Sequence, residues 1–168
     1  ATDVKSQVAK LKATGATVVG IYEITSWPGA TGVREGEPTN KGGTITTHGL
    51  RVTMTDARHS SSLDDLTYLG EPAGFVVKLE NGQTIYYAGD TALFSDMALI
   101  GELYRPDLAF LPIGDHFTMD PAQAARACRY LGVKRVVPIH WGTYPPLVGR
   151  PAQLGRELAA HAAAGAAV

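Results

Sequence analysis

The stretch IYYAGDT, residues 85–91, begins as a buried strand from Ile85 to Ala88 and ends on Gly89, Asp90 and Thr91. A carboxylate at the mouth of a core strand needs compensation, because burying an unpaired charge is costly. Two further residues share this context: His59 follows LRVTMTDA and His140 follows RVVPI. His116, in LPIGDHFTM beside Asp115, follows a strand in the same way. Ends of neighbouring strands lie close together, so side chains just beyond them can converge on one point. Two imidazoles and a carboxylate are donors that a zinc-type ion accepts. Taken singly, each histidine reads more readily as an ordinary loop residue than as a ligand, and Asp90 as a turn or cap; only the combined pattern brings the two readings level.

Outward from this stretch the pattern divides. Before it lie two hairpins. TITTHGLRVTMTDA turns near His48-Gly49, with Leu50, Val52 and Met54 on one face of its second arm. GFVVKLENGQTIYYA turns at Asn81-Gly82. Between them, residues 58–70 form a long polar connection of the kind that tends to carry function. After it, strands and helices alternate: a helix over 95–104, the strand LAFLPI, a helix from 120, the strand RVVPI and a helix from 151. Asp120-Pro121 reads as an N-cap followed by a first-turn proline. Upstream, Val4, Val8 and Leu11 predict a helix over 3–14, stopped by Gly15. A short strand over 16–22 follows, and then a Gly- and Pro-rich loop over 28–43. Hairpins first and strand–helix units afterwards predict an α/β or α+β sandwich in a single domain over 1–168.

With 168 residues, 15 basic and 16 acidic side chains and a net charge of −1, the chain can bury a real core and shows no polyanion-binding run. No apolar stretch approaches a membrane span. A single cysteine, Cys128, excludes an internal disulfide framework and suits a reducing, cytoplasmic compartment. Cys128 itself reads as a packed helix residue, His48 and His161 as solvated, and Asp107 as a turn or cap. Trp141 and Tyr144, after His140, suit a pocket wall or the core equally. His59 with the adjacent serines and Asp64 or Asp65 permits a Ser-His-Asp reading, but adjacency alone makes no triad and no G-x-S-x-G elbow is present. There is no phosphate-binding glycine loop.

The segments ARHSS, YYAGDTALFSDM, YRPDLAFLPIGDHFTMDPAQAA and VVPIHWGTYP resemble the metal-dependent hydrolases of the metallo-β-lactamase superfamily, in the branch labelled UPF0173. The resemblance runs along nearly the whole chain. It implies a four-layer αββα sandwich with a dinuclear metal site at one edge of two sheets. His59 matches a ligand of the first ion, Asp90 the carboxylate bridging both ions, and His140 the last histidine, on the second. The superfamily's leading H-x-H-x-D-H motif is absent. Ala1 stands where the sequence after that motif would begin, and the early strands and the last strand are missing too. The fold is therefore expected to be incomplete at both ends.

The activity so implied is metal-assisted hydrolysis. Hydroxide held between two ions attacks a carbonyl or phosphoryl centre of a small-molecule substrate, with Zn2+ the default metal and Mn2+ compatible. Asp90 and His116 are the catalytic candidates, His116 as a donor to the substrate. Ester, lactone, amide and phosphodiester all suit the same hydroxide. Three of seven expected ligands are present, so this chain by itself is expected to be inactive. A further segment carrying H-x-H-x-D-H is expected to pack against residues 44–90. No nucleic acid or membrane partner is expected, and a homo-oligomer is left open. The rival reading is a non-catalytic binding or assembly fragment that retains part of the fold.

Overall fold

The computed structural model describes residues 10, 11, 13–26, 37–62 and 65–165. The expected helix over 3–14 lies largely outside this range, although residues 10, 11, 13 and 14 are helical. Two sheets are formed. β1 (Val19–Ile21) and β2 (Glu37–Thr39) pair in parallel. β3 (Thr44–Thr47), β4 (Leu50–Asp56), β5 (Ala73–Lys78), β6 (Thr84–Tyr87), β7 (Leu108–Pro112) and β8 (Val136–Ile139) make a six-stranded sheet in chain order. Two expectations need correction. The strand over 16–22 is shorter, because the chain turns helical over Tyr22–Thr25, where the Thr25 hydroxyl donates back to the carbonyls of Ile21 and Tyr22. The expected loop over 28–43 lies outside the described residues up to 36, and from 37 it contains β2, whose Pro38 is compatible with a strand that has one neighbour among the described residues.

The β3–β4 hairpin turns at His48-Gly49, both with positive φ (48° and 76°), as a two-residue turn of this hand requires. β4 pairs antiparallel with β5, and β5 antiparallel with β6, whereas β6, β7 and β8 run parallel. Parallel neighbours need crossovers, which the helices Met97–Tyr104 and Pro121–Leu131 supply. The second starts on a complete capping box. Gln123 N donates to Asp120 Oδ1 (2.7 Å), Asp120 N donates to Gln123 Oε1 (3.2 Å), and Pro121 occupies the first turn.

The two faces of the large sheet differ sharply. On the helix side, Val76, Tyr86, Ala109 and Leu111 are buried against Met97, Ile100, Ala124, Cys128, Leu131 and Leu154. Each large apolar side chain so buried contributes roughly 1.5–3 kcal/mol. On the opposite side, Phe75, Tyr87, Phe110 and Val137 are register partners across four strands. Tyr87 and Phe110 are in ring contact at 5.7 Å, yet Tyr87 is 44% and Val137 37% exposed.

Strand direction fixes where function can sit. β4 and β6 are both antiparallel to β5, so they point the same way, and β7 and β8 follow β6. The carboxyl ends of β4, β6, β7 and β8 therefore share one edge of the sheet. His59, Asp90, His116 and His140 each lie just beyond one of those ends.

Candidate metal centre

At the end of β6 the chain passes through Gly89 with φ 66°, where a Cβ would fall 2.7 Å from the Ala73 carbonyl oxygen. This turn, closed to larger residues, delivers Asp90 to the sheet edge. Asp90 Oδ2 lies 3.5 Å from His140 Nε2. That separation suits an ion pair and is long for a hydrogen bond. His140 holds φ 51°, unusual for a residue with a side chain, and is mostly buried. Its other ring nitrogen, Nδ1, is buried and has no hydrogen-bond partner among the described residues.

β7 and β8 come together unusually closely here. Ile113 N donates to the Ile139 carbonyl (3.0 Å), and a Cβ on Gly114 would stand 2.1 Å from the His140 carbonyl oxygen. Only glycine lets the end of β7 lie under the backbone that presents His140. The loop beyond it carries Asp115 and His116, both with positive φ (66° and 59°), and His116 N donates to Asp115 Oδ1 (2.7 Å). The His116 ring is exposed and stands edge-on to Phe117, 4.4 Å between centroids.

His59 is half-buried, and its Nδ1 is 2.8 Å from the Ser60 carbonyl oxygen. Its loop is fixed at the base, where Lys41 pairs with Asp56 and, at 3.4 Å, with Glu71. Tyr68 Oη donates to Glu71 Oε1 (2.9 Å), and this bond raises the phenol's pKa. Among the described residues no cluster of three or more His, Cys, Asp or Glu side chains is arranged to hold a metal. The structure thus brings Asp90 and His140 together, and it leaves His59 on a neighbouring loop at the same edge. A carboxylate facing an imidazole, at the carboxyl ends of parallel strands, is a donor pair that fits a zinc-type ion.

Other sequence candidates fall as follows. Trp141 and Tyr144 are exposed, not core residues, and Trp141 Nε1 donates to the Pro138 carbonyl (3.2 Å). Asp107 caps the start of β6 by accepting from Thr84 N (2.8 Å). Cys128 is buried, and burial pushes its thiol up to about 11. His48 is exposed, with Nε2 3.0 Å from Thr17 Oγ1, and His161 is half-buried. For the Ser-His-Asp reading, His59 Nδ1 lies against the Ser60 carbonyl oxygen at 2.8 Å, and Asp64 lies outside the described residues. Two surface clefts of about 280 Å³ lie elsewhere, one beside Asp115 and Asp120, the other beside Arg51 and Lys78. Neither is lined by Asp90 or His140.

Sequence reasoning gave no role to Thr91, which is fully buried. Its hydroxyl accepts from Arg58 N (2.9 Å), its carbonyl accepts from Met119 N (3.2 Å), and Ala92 N donates to the Arg58 carbonyl (2.9 Å). The residues so joined are 28 to 34 positions apart in sequence, so no local pattern announces them.

Comparison with known proteins places this geometry in context. The beta-lactamase superfamily domain matches residues 10–141. The chain is 53% identical over 148 residues to a UPF0173 metal-dependent hydrolase of Rubrobacter xylanophilus, covering 86% of this chain and 61% of that protein. It is 50% identical over 153 residues to one of Roseiflexus castenholzii, covering 88% and 63%. It thus spans about three-fifths of the length of these relatives. Among solved structures it is similar to Igni18, a metallo hydrolase from Ignicoccus hospitalis, with a TM-score of 0.81 and 36% identity, covering 94% of this chain and 66% of that one. The metallo-beta-lactamase fold protein YhfI of Bacillus subtilis, at 13% identity and a TM-score of 0.67 over 95% of this chain and 68% of that one, shares the fold.

Proposed function

Because the chain belongs to the metallo-β-lactamase superfamily, with UPF0173 metal-dependent hydrolases among its relatives, we propose that it is the larger part of a metal-dependent hydrolase whose centre lies at the Asp90–His140 edge. The observation that carries this reading is the Asp90–His140 pair, 3.5 Å apart beyond the ends of two parallel strands. Asp90, His140 and His59 would hold the metal, zinc or manganese. Metal bound there would supply hydroxide at neutral pH, the chemistry suited to hydrolysis of a carbonyl or phosphoryl centre.

The chain's own residues have separate tasks. Asp90 neutralises positive charge at the sheet edge. The mostly buried His140 ring is held by its backbone, which Gly114 supports from beneath. His116, exposed on the adjacent loop, donates a hydrogen bond or proton to the substrate. Trp141 and Tyr144 offer exposed aromatic surface beside His140 to the rest of the substrate.

A second polypeptide stretch completes the centre in this proposal. The row Phe75, Tyr87, Phe110 and Val137 is apolar and partly exposed, and the relatives extend well beyond the matched region. A segment bearing H-x-H-x-D-H, packed on that face, would add the remaining ligands. The test is an assay of the full-length protein against ester, lactone, amide and phosphodiester substrates with added zinc or manganese. Turnover of at least one bond type, abolished by a chelator and restored by metal, supports the reading. Metal-independent turnover, or none with any of the four, contradicts it.

A further inference from the structure

We infer that Thr91 is the positioning residue of this centre, the point at which the loops carrying His59, Asp90 and His116 are locked to one another. The inference rests on the metal-centre reading for its purpose but on separate observations for its substance. Thr91 is fully buried and adjoins Asp90. Its hydroxyl is used twice: it accepts from Arg58 N at 2.9 Å and donates to the Ala92 carbonyl at 2.8 Å. Ala92 N answers Arg58 by donating to its carbonyl at 2.9 Å. The pair of bonds clamps the residue before His59 onto the residues after Asp90.

The third loop is held through the backbone of the same residue. Met119 N donates to the Thr91 carbonyl at 3.2 Å, and Asp115 N donates to the Met119 carbonyl at 3.0 Å. Asp115 and His116 both sit in the left-handed region, a conformation that persists only where surrounding contacts over-determine it. β5 separates β4 from β6 in the sheet, so no ladder bond joins the two strands that lead to His59 and Asp90. With neighbouring strands about 4.8 Å apart, their ends stand roughly 10 Å from each other. The Thr91 hydroxyl and the Ala92–Arg58 backbone bond together span that gap, and the hydroxyl is the only side-chain member of the pair. Neither cation partner nor substrate touches it in this account; it acts through the geometry of others.

The test uses the full-length protein with Thr91→Val, which keeps the shape and removes the hydroxyl, and Thr91→Ser, which keeps the hydroxyl. Metal-free protein is titrated with zinc alone. Thr91→Val should bind zinc about tenfold or more weakly, the scale seen for residues that orient metal ligands. Thr91→Ser should stay within about threefold of the parent on the same scale. Equal zinc affinity for Thr91→Val and the parent overturns the inference, and so does an equal loss in both variants. A parent that binds no zinc or manganese sinks the metal-centre reading instead. Amide hydrogen exchange in the parent provides the second measurement, which stands even if Thr91→Val does not fold. The Arg58, Ala92 and Met119 amides should exchange together and slowly. Rapid exchange at Arg58 beside a protected Ala92 would show that the hydroxyl clamp is not formed.

Discussion

Asp90 and His140 face each other at 3.5 Å although the strands that lead to them, β6 and β8, are separated by β7. The two loops must curl over the end of the middle strand to meet. Gly114, the second residue beyond β7, makes that possible by leaving the space above it to the His140 backbone.

Gly114→Ala is accordingly a severe change. Its methyl group would stand 2.1 Å from the His140 carbonyl oxygen, a backbone atom that cannot rotate away. A loss of about 3 kcal/mol is expected in denaturant unfolding of the full-length protein, at the upper end for an overpacked site. Activity should fall with it as His140 is displaced. A variant within about 0.5 kcal/mol of the parent, the usual range for a neutral surface change, would show that the close approach is not maintained.

Alkaline pH should weaken the helix-side core. Burial raises the Cys128 thiol from 9.0 to about 11, and burial also raises the Tyr86 phenol above the usual tyrosine range. Both groups hold their protons more tightly folded than unfolded. The Cys128 contribution is complete below pH 9 and is lost as pH rises through its folded value of about 11; that of Tyr86 is lost at higher pH still. The denaturation midpoint should be flat up to about pH 9 and then decline, with a shallower decline in Cys128→Ala. An equally steep decline in that variant would remove Cys128 from the explanation. The same burial predicts that a thiol reagent labels Cys128 slowly at pH 8 until denaturant is added.

The apolar face opposite the helices makes a third prediction. If a further segment covers Phe75, Tyr87, Phe110 and Val137 in the full-length protein, Tyr87→Asp places a carboxylate in a closed interface. The expected cost is about 2–3 kcal/mol, from lost apolar burial and the unpaired charge. A cost below about 0.5 kcal/mol would mean that the face remains in water.

Much of this arrangement was legible in the sequence because it is written locally. The His48-Gly49 turn, the Asp120-Pro121 helix start and the alternation from residue 95 onward each need only near neighbours. The placement of His59, Asp90, His116 and His140 after strands was equally readable, and strand direction then brings all four to one edge. What was hidden depends on distant partners. β2 lies in a Gly- and Pro-rich stretch and exists through its pairing with β1. Thr91 reads as an ordinary residue after a turn until Arg58 and Met119 arrive beside it. The left-handed backbone at His140 was not read either: histidine is enriched at positive φ, but most histidines lie elsewhere, so the residue type alone does not mark the position.

The most direct test of the metal centre is the metal content of the full-length protein, purified with zinc or manganese and measured by elemental analysis against protein concentration. The parent should carry about two ions per chain, as a dinuclear site requires. Asp90→Ala should lose at least one ion and most of the activity, and His161→Ala, on the last helix and without an assigned role, should lose neither. Asp90→Ala with the parent's metal content and activity would contradict the account.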